Sequence, residues 1–255
     1  MTDRRAPDGF PPGFFDRADP APDADFYSWP RLVTHIDDAA IAAVGALYDE
    51  LRIRGEVLDL MSSWVSHFTE APEHLTVLGM NAHELAQNRQ ARAAIVHDLN
   101  LTPTLPFADR AFDAAVCCVS VDYLIQPVAV FTDVARVLRP GATLVVYDIL
   151  QGPGGAVRYP TPWSVDGRAS FLLDLAGMKE HLIAAGFELL EHRERREESV
   201  AWFETRAAAA AAGALPPLSV RLLLGPVFKD AFANLLTNLK EARVIPTYLR
   251  AVRLP

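Results

Sequence analysis

Residues 114–148 constrain this chain more than any other stretch. Residues 114–120 are a continuous apolar run, residues 127–138 are strongly amphipathic at helical spacing, Pro140-Gly141 stops that helix, and a second apolar run fills 142–148. A strand apolar on both faces must be covered on both faces, which is the condition of a buried parallel strand. Two such strands joined by a helix form a βαβ crossover. The same alternation precedes this unit. Apolar strand-length runs lie at residues 56–60, 75–80 and 94–97, and helical patterns at 36–51, 66–72 and 82–88. Asp37 or Asp38 is placed to cap the first of these helices. Further on, residues 178–185 read as a helix ended by Gly186, residues 187–192 and 244–252 as strands, and residues 198–212 and 228–241 as helices separated by a Pro216-Pro217 break. The pattern predicts an α/β fold with a doubly wound, mostly parallel sheet.

The chain's 255 residues are 51% hydrophobic, enough for a complete core. Its net charge of −8 is spread along the sequence without a basic stripe, which argues against a nucleic-acid partner. No apolar run reaches membrane-spanning length, and no leader-like segment is read at the start, so no membrane partner is expected. Cys117 and Cys118 are adjacent within a predicted strand and point to opposite faces, so they are poor disulfide partners. Reduced thiols fit a cytoplasmic location. The seven histidines are scattered, and Cys117-Cys118 lacks ligand spacing, so no metal site is expected. There is no G-x-S-x-G elbow. No feature of the sequence sets the oligomeric state.

Residues 1–25, rich in Pro, Asp and Ala, read as a flexible tail. The aromatic cluster Phe26, Tyr27 and Trp29 must then dock on something, either as a clasp on the core or as a lid over a site. The expected organisation is a single domain over residues 26–255. Its N-terminal lid and helix occupy 26–54, and cap elements occupy 151–176 and 198–242.

The run Leu105-Pro106-Phe107, Phe112-Asp113 and Arg136-Val137-Leu138-Arg139-Pro140-Gly141 resembles the "LPF…FD…RvLrPGG" stretch of class I S-adenosylmethionine-dependent methyltransferases of the small-molecule, type 11-like branch. The resemblance implies a Rossmann-like, seven-stranded sheet with helices on both faces and a small cap. It also implies methyl transfer from S-adenosyl-L-methionine to an N, O or C atom of a small molecule, an activity of small-molecule biosynthesis. Carried over residue by residue, it places Asp59 at the methionine amino group, Asn81 at the ribose hydroxyls where an acid is usual, and Asp98 at the adenine amino group with Leu99 supplying backbone. Ser120 falls where backbone meets the cofactor. The glycine-rich loop is replaced by Met61-Ser62-Ser63-Trp64. This cofactor has no phosphate, so backbone amides at a helix start around Ser62 and Ser63 are expected to meet its carboxylate. Trp64 is expected to pack beneath that helix, the other reading being a cation–π contact with the sulfonium.

For proton transfer the candidates are Asp122 and Tyr123, at the carboxyl edge of the sheet, and His35 and Tyr27 from the lid; His67 ranks below them. Tyr159, Trp163 and Arg31 are the substrate-binding candidates. The missing glycines keep two other readings open: a repurposed enzyme of this fold catalysing a cyclisation or isomerisation, or a non-catalytic partner protein.

Overall fold

The computed structural model describes residues 15–17, 20–118, 120–168, 170, 172–211 and 225–255. Residues 1–14 of the expected tail, Phe171 and the Pro216-Pro217 break lie outside this set, as does the side chain of Asp122. The chain divides into two compact units, Met1–Ala142 and Thr143–Pro255.

The first unit contains α1 (Asp23–Phe26), α2 (Asp38–Glu50), α3 (Ala82–Gln87) and α4 (Pro127–Val137), with strands β1 (Glu56–Leu60), β2 (His74–Gly79), β3 (Ala93–Val96) and β4 (Ala114–Cys117). The four strands form one parallel sheet in the order β3-β2-β1-β4. Leu58 lies opposite Thr76 of β2 on one side and Ala115 of β4 on the other. The central strands are the apolar ones: Val57, Leu58, Leu75, Val77 and Leu78 are fully buried, each worth about 1.5–3 kcal/mol on leaving water. Helix α2 starts where Asp37 accepts from the Ala40 amide, as one of the two expected caps. Helix α4 begins with Pro127 at its first turn and buries Val130, Val134 and Val137 against the sheet core.

The most diagnostic sequence run turns out to be a structural clamp. Arg136 on α4 donates to the carbonyls of Leu105 and Phe107 and to the carboxylates of Asp109 and Asp133. Asp133 in turn accepts from the Leu105 amide. Phe107 and Phe112 meet edge to face, 4.9 Å apart. Asp113 accepts from the Glu56 amide and pairs with Arg139. Burial works against ionised Asp113, but these two partners hold its pKa below the ordinary value. Gly55, at φ +81°, leaves room for that carboxylate, since a Cβ there would lie 2.4 Å from Asp113 Oδ2.

The second unit contains β5 (Thr143–Gln151), α5 (Leu175–Ala184), β6 (Phe187–Glu194), α6 (Arg196–Ala211), α7 (Phe228–Lys240) and β7 (Val244–Arg253). Its sheet, in the order β5-β7-β6, is antiparallel. Among the described residues the seven strands divide into a parallel set of four and an antiparallel set of three, where alternation led to the expectation of one mostly parallel sheet. Periodicity locates a strand but does not set its direction. One helix is corrected outright. Residues 66–72 form no helix, and the whole connection from Met61 to Glu73 is irregular.

Candidate active site

A cavity of about 560 Å³ opens in the first unit at the carboxyl ends of β1 to β4, where ligands bind in parallel α/β sheets. Its wall is built from the segments that follow each strand. Met61, Ser62, Ser63, Val65, Ser66 and His67 follow β1; Met80 and Glu84 follow β2; His97, Asp98, Leu99 and Asn100 follow β3; Cys118, Ser120, Tyr123 and Leu124 follow β4. Tyr48 of α2 closes one side, and the N-terminal segment contributes Phe26, Tyr27, Arg31 and His35.

Asp59 is the buried acid of this wall. It ends β1 and accepts from Ser62 Oγ at 2.7 Å and Ser66 Oγ at 2.5 Å. Burial pushes its pKa up to about 6, against the pull of the two serine hydroxyls. The same desolvation raises the pKa values of Tyr48 and Cys118, and the nearby Asp59 carboxylate adds to both.

The loop keeps a glycine-like path without glycine. Met61 adopts φ +53°, the left-handed region that glycine enters at no steric cost. The Ser62 amide then donates to the Leu78 carbonyl. The Ser62 carbonyl turns onto β2, where a Cβ on Gly79 would lie 2.1 Å from it. The close approach is thus permitted by a glycine on the neighbouring strand. No helix follows, so the expected helix-start donors are replaced by single amides. Among the described residues the Ser63 and Leu99 N–H groups have no hydrogen-bond partner. Trp64 neither underlies a helix nor lines the cavity. Its Nε1–H donates to the Val33 carbonyl of the N-terminal segment.

Asp98 lines the cavity with one oxygen engaged: Oδ1 accepts from the Asn100 and Leu101 amides, and Oδ2 has no partner among the described residues. Ser120 donates to the Cys118 carbonyl at 3.1 Å. Asn81 is not part of the wall. Its Oδ1 caps α3 through the Glu84 amide, and its Nδ2 donates to the Tyr27 carbonyl. Glu84, a residue the sequence reading passed over, is on the wall and buried. It accepts from the Arg31 amide and from Ser63 Oγ.

Of the proton-transfer candidates, Tyr27, His35 and Tyr123 reach the wall. The backbone of Asp122 forms a single 3-10 turn with Val121 and Tyr123. Burial, and then the neighbouring Asp23, Tyr123 and Glu84, raise the Tyr27 pKa while Arg31 opposes them, so its phenol is a donor at neutral pH. His67 also lines the cavity. Its buried Nδ1 lacks a partner among the described residues, and burial lowers its pKa, which favours the neutral imidazole. Arg31 stacks on Phe26 with its guanidinium carbon 3.9 Å from the ring centre. Tyr159 and Trp163 belong to the second unit. Trp163 packs in that unit's core around Leu235, Leu239 and Val244 and donates to Ser170 Oγ. Among the described residues no group of three or more His, Cys, Asp or Glu side chains is arranged to hold a metal ion. No described helix is long and apolar enough to cross a membrane.

Residues 55–146 match the methyltransferase domain family. The fold is that of class I methyltransferases. The methyltransferase phqN of Penicillium fellutanum is 34% identical over 90 residues, spanning 33% of this chain and 27% of that protein. The O-methyltransferase rstn1 of Aspergillus nomiae is 30% identical over 138 residues, spanning 49% of this chain and 59% of that one. The chain thus covers less than two thirds of either curated relative. Among solved structures, the geranyl diphosphate C-methyltransferase of Streptomyces coelicolor, in complex with Mg2+, geranyl diphosphate and S-adenosyl-L-homocysteine, superposes with a TM-score of 0.55 at 15% identity, over 85% of this chain and 79% of that one. Residues 55–142 of that family match lie in the unit that holds the cavity.

Proposed function

We propose that this chain transfers a methyl group from S-adenosyl-L-methionine to an N, O or C atom of a small molecule. The carrying observation is the cavity at the ends of four parallel strands, with Asp59 and Asp98 on its wall, inside the segment that matches the methyltransferase domain. The cofactor supplies an electrophilic methyl on a sulfonium.

The residues present fit that cofactor without a glycine loop. Asp59 is a buried acceptor for an ammonium, whose charge would draw its pKa back down. The unpartnered Ser63 amide suits a carboxylate. Asp98 Oδ2 and the Leu99 amide offer an acceptor and a donor to a purine edge. Ser120 borders the same space. Methyl transfer then depends on orientation and exclusion of water. Phe26 and Tyr27 over the cavity serve the second purpose, and Arg31 fits an anionic or aromatic group of the acceptor. For an acceptor that carries a proton, the wall offers the imidazoles of His35, His67 and His97, and Tyr123 and Asp122 stand at the strand edge. Small-molecule biosynthesis in the cytoplasm is the setting this reading implies, consistent with two thiols that form no disulfide.

The test is calorimetric titration of the full chain with S-adenosyl-L-methionine and S-adenosyl-L-homocysteine, after native mass spectrometry for ligand carried through purification. Micromolar binding, about −8 kcal/mol, is expected, and Asp98→Ala weakens it about tenfold or more. A folded, ligand-free sample that binds neither sinks the proposal. Turnover of an acceptor without S-adenosyl-L-homocysteine formation would instead favour the cyclisation or isomerisation reading.

A further inference from the structure

We infer that residues 22–35 form a latched strap that gates the cavity, and that Glu84 is the latch joining the strap to the loop after β1. The strap is tied down at four places, one after β1, two after β2 and one after β3. Asp23 Oδ2 accepts from Asn100 Nδ2 at 2.7 Å, after β3. The Tyr27 carbonyl accepts from Asn81 Nδ2 at 2.8 Å, after β2. The Arg31 amide donates to Glu84 Oε1 at 2.7 Å. The Val33 carbonyl accepts from Trp64 Nε1 at 2.9 Å, after β1. Between these ties the strap places Phe26, Tyr27, Arg31 and His35 on the cavity wall.

Among the described residues little else holds the strap. Helix α1 is one turn long and buries none of its residues, and Phe26, Trp29, Leu32 and Val33 are largely exposed. A segment with few buried apolar contacts and a handful of hydrogen bonds opens locally at low cost. Hydrogen bonds set its closed population, and each is worth a modest amount.

Glu84 differs from the other ties because both its oxygens are used. Oε2 accepts from Ser63 Oγ at 2.5 Å while Oε1 holds the strap. The Ser63 carbonyl accepts from Asn88, which also donates to Ser66 Oγ, and Ser66 donates to Asp59. One chain of hydrogen bonds therefore runs from the buried acid of the cavity to the strap backbone. A ligand that engages Ser63 or Asp59 acts on the latch directly. The gate concerns entry to the cavity under the methyl-transfer reading above, but the latch itself is independent of which ligand enters.

Cys118 lies on the cavity wall, so its alkylation rate reports entry with no cofactor present. The experiment compares full-length wild type, Glu84→Gln and Trp64→Phe. Amide hydrogen exchange at residues 22–35 and N-ethylmaleimide labelling of Cys118, located by mass spectrometry, are both followed under conditions where denaturation shows each variant folded. In each variant, exchange at the Arg31 amide and labelling of Cys118 are expected to accelerate about tenfold. Unchanged exchange in both variants overturns the latch. Faster exchange with wild-type labelling overturns the gate. Failure to bind S-adenosyl-L-homocysteine refutes the methyl-transfer reading and leaves both of these readouts decisive.

Discussion

Ser66 Oγ donates to Asp59 Oδ2 across 2.5 Å of buried space, seven residues along the chain and with no helix between them. The bond favours the ionised acid, yet burial outweighs it and leaves the pKa at about 6, above the ordinary 3.8. A folded state that holds its proton more tightly than the unfolded chain loses stability as pH rises from about 4 to about 6. The interval corresponds to about 3 kcal/mol from this one group. Urea denaturation between pH 4 and 7 measures the slope. Asp59→Asn should flatten it, and Ser66→Ala should extend it to higher pH.

Gly79 admits the Ser62 carbonyl at a distance no Cβ tolerates. Gly79→Ala should cost about 1–3 kcal/mol through displacement of backbone in a packed sheet. It should also weaken ligand binding, because the displaced loop carries the cavity wall. Denaturation and calorimetry on the same sample test the two effects together.

At Met61 the expected order follows from φ +53°. Met61→Val should destabilise by about 1–2 kcal/mol, since a β-branched residue is strained in this region. Met61→Gly removes the strain, loses the side chain's packing on the sheet core, and should stay within about 1 kcal/mol of wild type. Equal losses in the two variants would contradict the strain argument.

Arg136→Ala should lower Tm, because the carbonyls of Leu105 and Phe107 lose a shared donor. Arg136→Lys should recover only part of the loss, since an ammonium does not reproduce the planar fork that meets two carbonyls and two carboxylates. For comparison within the same core, Leu58→Ala should cost about 2–5 kcal/mol. Thermal and chemical denaturation rank the three.

The strands were legible because their apolar runs are continuous, and β1 spans the expected residues. The Asp37 cap was legible from its position before a periodic segment. The helix expected over 66–72 fails for reasons outside its periodicity. Ser66 is drawn to Asp59, Phe68 is buried beside Tyr48, and Gly45 of α2 packs against the His67 and Thr69 backbone. Seven residues cannot outweigh such tertiary demands.

In the site, Asp98 and Asp59 stood out because the family pattern marks their positions. Glu84 and Tyr48 did not, because each lies within a helical pattern. Glu84 did leave a signal, since Asn81-Ala82-His83-Glu84 has the spacing of a capping box. Asn81 plays its half of that motif, whereas the Glu84 carboxylate is diverted to Arg31 and Ser63.

The pairing of Met61 with Gly79 bears on how such proteins are recognised and altered. The signature of a cofactor turn is commonly sought as glycines in a row, yet the loop after β1 takes its left-handed step at a methionine and is given clearance by a glycine on the adjoining strand. A search keyed to the turn alone would pass over a chain like this one. An engineer restoring glycines at residues 61–65 would add slack where the path is already set.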